Sequence, residues 1–494
     1  MKQIFSRRRF LASSATLAAG LGVLGISPAA GRADAPITLR AVRRSIEVNG
    51  KAASVFGLLG PNGRPGIALD PGQRFELALA NEIDDALIVH WHGQTPSPDQ
   101  DGVVDTGYVQ PIAAGANQAY DFAPRTGTHW MHSHHGLQEQ SLMAAPLIVR
   151  TAEDLKRDAQ EVTVLLHDFT FRDPEALLAE LTKGSGMTMD HSGMSNMPGM
   201  DMSNMQGMDM GQMDSGSMNH GAGGMPGMDL NDIQYDAYLA NDRTLRDPEV
   251  FTVERKGRVH LRLINGATST AFWIDLGALD GAVIAVDGNP VQPIPVRRFP
   301  MAQGQRVDVL ITLGENGAFP ILAQREGDTA QTGFILATQG AAIAKLDETA
   351  QRAAVPIDNS LEAQLRATAP LAARAADVTH RLALTGGMMP YQWSFGGKTW
   401  KDHAPLAVKA GQRVALELVN QSMMAHPMHL HGHHFQVVAI DGTPVSGAVR
   451  DTVLVPVNGT VTLAFDAENP GRWLFHCHNL YHMATGMMTE VTYA

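Results

Sequence analysis

The feature that most restricts this chain is an internal repeat. Gly72-Gln73-Arg74-Phe75-Glu76-Leu77-Ala78-Leu79-Ala80-Asn81 recurs as Gly411-Gln412-Arg413-Val414-Ala415-Leu416-Glu417-Leu418-Val419-Asn420, and more loosely from Lys256 to Asn265. Each copy alternates apolar and polar residues, the pattern of a half-buried strand. Nine residues after each asparagine stands a four-residue signature: His90-Trp91-His92-Gly93, Ile274-Asp275-Leu276-Gly277 and His429-Leu430-His431-Gly432. A second set agrees, since Gly127, Gly317 and Gly471 each precede by five residues the triplets His132-Ser133-His134, Leu322-Ala323-Gln324 and His476-Cys477-His478. The turn Ala285 to Val291 is echoed by Ala439 to Val445. Three copies of one small unit are therefore expected, and short strands broken by Gly and Pro turns make the chain all-β, with consecutive Greek-key barrels or sandwiches.

The boundaries expected from this repeat are 36–150, 151–345 and 376–494, with the Ala-rich, polar stretch 346–375 as a connector. Residues 1–35 read as an address. Arg7-Arg8-Arg9 precedes a mildly apolar run from Leu11 to Ile26 and small residues near Ala33-Asp34-Ala35, a twin-arginine signal with cleavage within 33–35. The run is too short for a stable membrane anchor of about 20 apolar residues. Twin-arginine export suits a periplasmic protein that leaves the cytoplasm folded. The whole chain has a net charge of -12, and residues 1–35 carry five basic side chains and one acidic one, so their removal takes it to -16. That argues against a nucleic-acid partner, which would call for a basic face.

Four His-x-His pairs stand at matching positions of the first and third units: His90/His92, His132/His134, His429/His431 and His476/His478. On a strand each pair projects to one face, so the two units are expected to pack face to face around a metal site. Imidazole suits copper, zinc, iron or nickel, and leaves the metal open. The middle unit lacks these histidines and is expected to be a spacer. Cys477 is the only cysteine; strand alternation turns it away from His476 and His478. With His482 five residues on, Met487 ten residues on and His426 from Met424-Ala425-His426-Pro427, it has the ingredients of a blue-copper site.

With these motifs in view, the sequence resembles a three-domain multicopper oxidase of the bacterial laccase, cuprous oxidase and copper-resistance type, over essentially its whole length after residue 35. The resemblance implies cupredoxin-like domains and four copper ions. It places the type 1 copper on His426, Cys477, His482 and Met487, the type 2 copper on His90 and His429, and the type 3 pair on His92, His132, His134, His431, His476 and His478. It further implies that one-electron donors feed the type 1 site, that electrons cross Cys477 to its histidine neighbours, and that dioxygen is reduced to water. Asp101 matches a family acid near the cluster and is expected to relay protons, against the simpler reading of a turn aspartate before Gly102. Some cuprous oxidases carry a glutamate directly after the second type 1 histidine; here that residue is Met483. His129, His135, His433 and His434 lie outside the family pattern and are expected to be ordinary neighbours of the site or surface residues.

Residues 184–229 are of another kind. Met187, Met189, Met194, Met197, Met200, Met202, Met205, Met208, Met210, Met213, Met218, Met225 and Met228 alternate with Gly, Ser, Asn, Asp, His191 and His220, without helical or strand period. Thioethers are soft ligands that select Cu(I), so the insert is expected to recruit Cu(I) rather than serve as an inert linker. The expected function is a monomeric periplasmic oxidase of Cu(I), and of phenols, in copper tolerance. A general laccase for phenols and aromatic amines and, from another class, a copper-sequestering protein are the alternatives, and oxygen uptake separates the last.

Overall fold

The alternation read from the repeat becomes alternation in burial. In Phe75–Asn81 every second side chain is buried, and the equivalent strands Arg258–Asn265 and Arg413–Asn420 lie deeper still. The computed structural model describes residues 36–183 and 230–494. Its strands form six sheets, two for each of three consecutive units.

The pairing is the same in all three. The repeat strand runs parallel to the first strand of its unit, which is Ile37–Val48, Gln160–Phe169 or Val378–Met388. On its other side it is antiparallel to Asn117–Phe122, Arg306–Thr312 or Thr460–Asp466. In the facing sheet, Gly127–Ser133, Ala318–Arg325 and Arg472–Cys477 pair antiparallel with the last strand of the unit, which in turn runs parallel to a short strand, Ile67–Leu69, Val250–Val253 or Leu406–Val408. Parallel and antiparallel neighbours mixed in this way give the two-sheet Greek-key sandwich expected from the sequence, built three times.

The recurring asparagine has a structural reason. Asn81, Asn265 and Asn420 are buried where the chain leaves one sheet for the other. Each accepts the N–H two residues on, of Ile83, Ala267 and Ser422. Each donates Nδ2 to a carbonyl in the crossing loop, of Asp85, Thr270 and Met424. It donates also to a neighbouring segment, at Ile112, Met301 and Val455. A buried loop must satisfy its backbone polar groups, and one amide does so here while setting the path to the signature. The echoed Asp-Gly turns are hairpins, with positive φ at Asp287 and Gly288 and at Asp441 and Gly442, as a two-residue type I′ turn requires.

The stretch 346–375 is more than a polar connection, because Ile357, Leu361 and Leu365 are buried in the core. Among the described residues no helix is long and apolar enough to cross a membrane. Residues 1–35 and the methionine-rich stretch 184–229 lie outside the described residues.

Candidate metal centres

The four His-x-His pairs meet because strand register puts them opposite one another. His90 pairs with His132 across Val89–His90 and Gly127–Ser133, and His429 with His476 across His426–Leu430 and Arg472–Cys477. The first and third units face each other, so their imidazoles interleave: the rings of His92 and His429 stack at 3.7 Å and those of His90 and His431 lie 3.9 Å apart. All eight are buried. Ring nitrogens of His134, His431 and His476 lie within 4.8 Å of one another, as do those of His90, His92 and His132, and of His90, His429 and His431.

Which nitrogens face the cavity is set by hydrogen bonds on the far side of each ring. The Nδ1–H of His90 donates to Asp101 O at 2.9 Å, that of His429 to Asp451 O at 2.9 Å, and that of His476 to Cys477 O at 2.8 Å. His431 Nδ1 lies 2.9 Å from Asp101 Oδ2. These four rings therefore present lone pairs at Nε2, yet Nε2 of His431 and His476 are 3.0 Å apart and those of His90 and His429 3.5 Å. Two lone pairs at that distance in a dry interior repel unless a cation lies between them. His92 is turned the other way, with Nε2 3.0 Å from Asp451 Oδ1 and 3.1 Å from Thr452 Oγ1, leaving Nδ1 without a partner. Nε2 of His132 and His134 and both nitrogens of His478 are likewise unpaired and buried. Orphaned imidazole lone pairs, with the opposite nitrogen anchored in His92 and His132, are the signature of metal ligation. Burial holds His92, His132, His134, His429 and His431 well below the usual histidine range, and His476 and His478 at about 3, so the rings are in the neutral, ligating form.

The other face of the same strand carries the second site. Cys477 Sγ lies 3.6 Å from Nδ1 of both His426 and His482, and those two nitrogens are 3.1 Å apart. His426 Nε2 is anchored 2.7 Å from Ser422 Oγ, and His482 Nε2 lies 3.0 Å from the Asp232 carboxylate. Met487 is buried beside them, its N–H bonded to His482 O and its O to Cys477 N–H. Burial pushes the Cys477 thiol up, so a thiolate here requires a cation to replace the proton. One sulfur, two imidazoles and a buried thioether suit copper.

Asp101 is buried, with Oδ2 on His431 and its own carbonyl on His90, so it ties a histidine of the third unit to one of the first. It is also a turn residue, because a Cβ on Gly102 (φ +79°) would come within 1.8 Å of Val89 O. His129 is buried and His434 half-buried beside the site, with Nε2 bonded to Thr126 O and Gly93 O, and His433 Nε2 is 2.6 Å from Tyr493 Oη. Met483 packs half-buried against the core.

Three carboxylates at the centres escaped the sequence reading. Asp232 touches His482. Asp451 touches His92 and is paired with Arg306. Glu139 Oε2 lies 2.8 Å from His132 Nδ1, and burial pushes its carboxyl up to about 7. None stands at a fixed spacing from a histidine motif; the only available signal was that Asp451 and Glu139 follow signatures within the same unit.

Models of the multicopper oxidase family match residues 41–154, 160–343 and 374–494. The chain is 32% identical to multicopper oxidase MmcO of Mycobacterium tuberculosis, covering 100% of this chain and 97% of that protein. It belongs to the multicopper oxidase family. It is also 25% identical to copper resistance protein A of Pseudomonas syringae pv. tomato, over 90% of each chain. Among solved structures it resembles Fet3p, a multicopper oxidase that functions in iron import (TM-score 0.73, 18% identity, 92% of this chain and 90% of that one). It resembles also the laccase of Botrytis aclada (TM-score 0.71, 21% identity, 92% and 87%). As a multicopper oxidase the protein is an oxidoreductase with copper cofactors, and it couples oxidation of a reductant to reduction of dioxygen.

Proposed function

We propose that this multicopper oxidase is a periplasmic cuprous oxidase of copper tolerance that also accepts phenols, with one type 1, one type 2 and two type 3 copper ions. His426, Cys477, His482 and Met487 would hold the type 1 ion and His90 and His429 the type 2 ion. Of the type 3 pair, His134, His431 and His476 would hold one and His92, His132 and His478 the other. Bound copper supplies one-electron acceptance at the cysteine site and dioxygen reduction at the histidine site. The protein's own part is to keep the imidazoles aimed, to exclude water from the Cys477 thiolate, and to hold a carboxylate, Asp101, against His431, where it can pass protons.

The observation that carries the Cu(I) reading is Asp232. Its carboxylate lies against the outward nitrogen of His482, and it stands three residues after the end of the methionine-rich stretch 184–229. The described chain that follows that stretch, from Leu230, thus runs beside the residue where electrons would enter. Exposed methionines flank the same site: Met423 follows Ser422, which bonds His426, and Met389 is two residues from Tyr391, whose ring lies 6.3 Å from His482. Soft sulfur with a carboxylate fits Cu(I) as substrate. The twin-arginine signal in residues 1–35, export to the periplasm, action as a monomer and the absence of a nucleic-acid partner or stable membrane anchor belong to the same proposal.

The test compares kcat/KM for anaerobically delivered Cu(I) and for a simple phenol, by oxygen consumption, in the whole protein and in one lacking residues 184–229. Selective loss of Cu(I) turnover supports the proposal. Unchanged turnover of both donors replaces it with a general laccase, and no oxygen uptake with either donor replaces it with copper sequestration.

A further inference from the structure

Among the described residues the middle domain contributes no imidazole to either site, and its sequence reads as a spacer. Its turn Ala302-Gln303-Gly304-Gln305-Arg306 nevertheless reaches the histidine cluster at two places. Arg306 is fully buried. Its guanidinium grips Asp451 of the third domain in a fork, Nη1 donating to Oδ1 at 2.7 Å and Nη2 to Oδ2. Remaining donors go to Gly304 O at 2.8 Å and Thr128 O at 3.3 Å. Asp451, so held, lies against Nε2 of His92 from the first domain, while its carbonyl takes the Nδ1–H of His429. Thr452 Oγ1 donates to Asp451 Oδ1 at 2.9 Å and stands 3.2 Å from His429 Nδ1. Beside it, Gly304 (φ +78°) leaves the space filled by the His478 ring: a Cβ there would come within 2.9 Å of Cδ2. Gly93 clears the same junction, since a Cβ on it would lie 2.5 Å from Arg306 Nη2 and 2.8 Å from Asp451 Oδ2.

We infer that the turn 302–306 of the middle domain positions the ligands of the histidine cluster, with Arg306 as the positioning residue that locks Asp451 onto His92 and His429, and Gly304 as the wall behind His478. The physical reason is tautomer choice. A ring that donates from Nε2 to a fixed carboxylate must present its lone pair at Nδ1, and His92 is the ligand that has to be turned in that sense. A buried carboxylate stays in place only while its charge is paired; Arg306 provides the pairing, and is itself fixed through its N–H to Asp287 Oδ1 at 2.9 Å. Asp287 lies 3.1 Å from Arg450 and Arg450 2.6 Å from Glu362, so the lock is anchored in a buried ion network spanning the second and third domains and the connector.

This inference rests on the copper assignment proposed above, and the experiment separates the two. Copper-loaded wild type, Arg306→Met, Arg306→Lys and Gly304→Ala would be compared by copper content, by the type 2 electron paramagnetic resonance signal during titration with a chelator, and by the blue absorption of the cysteine site. For Arg306→Met the chelator concentration that removes half the type 2 signal should fall about 10- to 100-fold, the usual effect of removing an outer partner of a metal ligand, with altered hyperfine splitting and an unchanged blue band. Arg306→Lys should recover part of the shift. Should Arg306→Met fail to fold, Gly304→Ala carries the test and should alter the cluster's absorption and copper content while sparing the blue band. A chelator midpoint and hyperfine splitting within twofold of wild type in Arg306→Met, even with lowered thermal stability, would show Arg306 to be interdomain glue alone and overturn the inference. A wild type that itself lacks the blue band or the type 2 signal would instead refute the copper assignment.

Discussion

Glu326 offers a pH-linked prediction whose size follows from its surroundings. It follows the strand Ala318–Arg325 and accepts the Ile357 N–H at 2.9 Å, clasping the connector to the middle domain. Burial pushes its carboxyl from 4.5 up to about 7, against the opposing pull of that N–H and of Arg325. In the unfolded chain the group ionises at its ordinary value. Between the two values the folded protein binds more protons than the unfolded one, so this group's contribution is full below about pH 4.5, declines as pH rises, and is level above about pH 7. A displacement of that size is worth on the order of 3 kcal/mol. Glu326→Gln removes the charge and keeps an oxygen for Ile357. The variant should therefore exceed wild type in stability by about 3 kcal/mol at pH 8 and match it near pH 4.5. Urea unfolding followed by tryptophan fluorescence measures this, because Trp273 Nε1 donates to Val355 O on the docked connector. If wild type and variant differ equally at both pH values, Glu326 is not held neutral by burial and the reasoning fails.

Other perturbations have equally definite outcomes. Asp101→Asn preserves the carbonyl that anchors His90 and an oxygen for His431, so copper content and the blue band should stay while kcat falls by about 10²- to 10⁴-fold; turnover within twofold of wild type would remove Asp101 from proton relay. Gly432→Ala places a Cβ 2.2 Å from the Trp473 ring at φ +65°, and should cost at least about 1–3 kcal/mol in thermal unfolding through overpacking. Gly277→Ala, at the same signature position of the middle domain, meets only Pro320 O at 3.4 Å and should cost no more than the roughly 1–2 kcal/mol of left-handed backbone strain. Similar melting temperatures for the two variants would contradict the packing argument.

The sequence alone determined the threefold sandwich and picked out the candidate ligands, because both are written at short range. Strand alternation decides that His476 and His478 share a face and Cys477 takes the other. A repeated asparagine decides where each copy crosses between sheets. The spacing of Gly127 and Gly471 from their triplets decides that two strands carry paired histidines in equivalent places. Only the tertiary structure decided what holds those candidate ligands in their tautomers. Asp451, Arg306 and Asp232 are brought to the histidines by packing of separate domains. Arg306 and Asp451 lie 145 positions apart, and the meeting of their side chains depends on how three sandwiches close on one another. Long-range charge pairing leaves no periodic trace in a chain, since any buried acid can be matched by a base from any neighbouring surface. The middle domain therefore reads as a spacer in sequence, although in the folded protein it reaches into the centre.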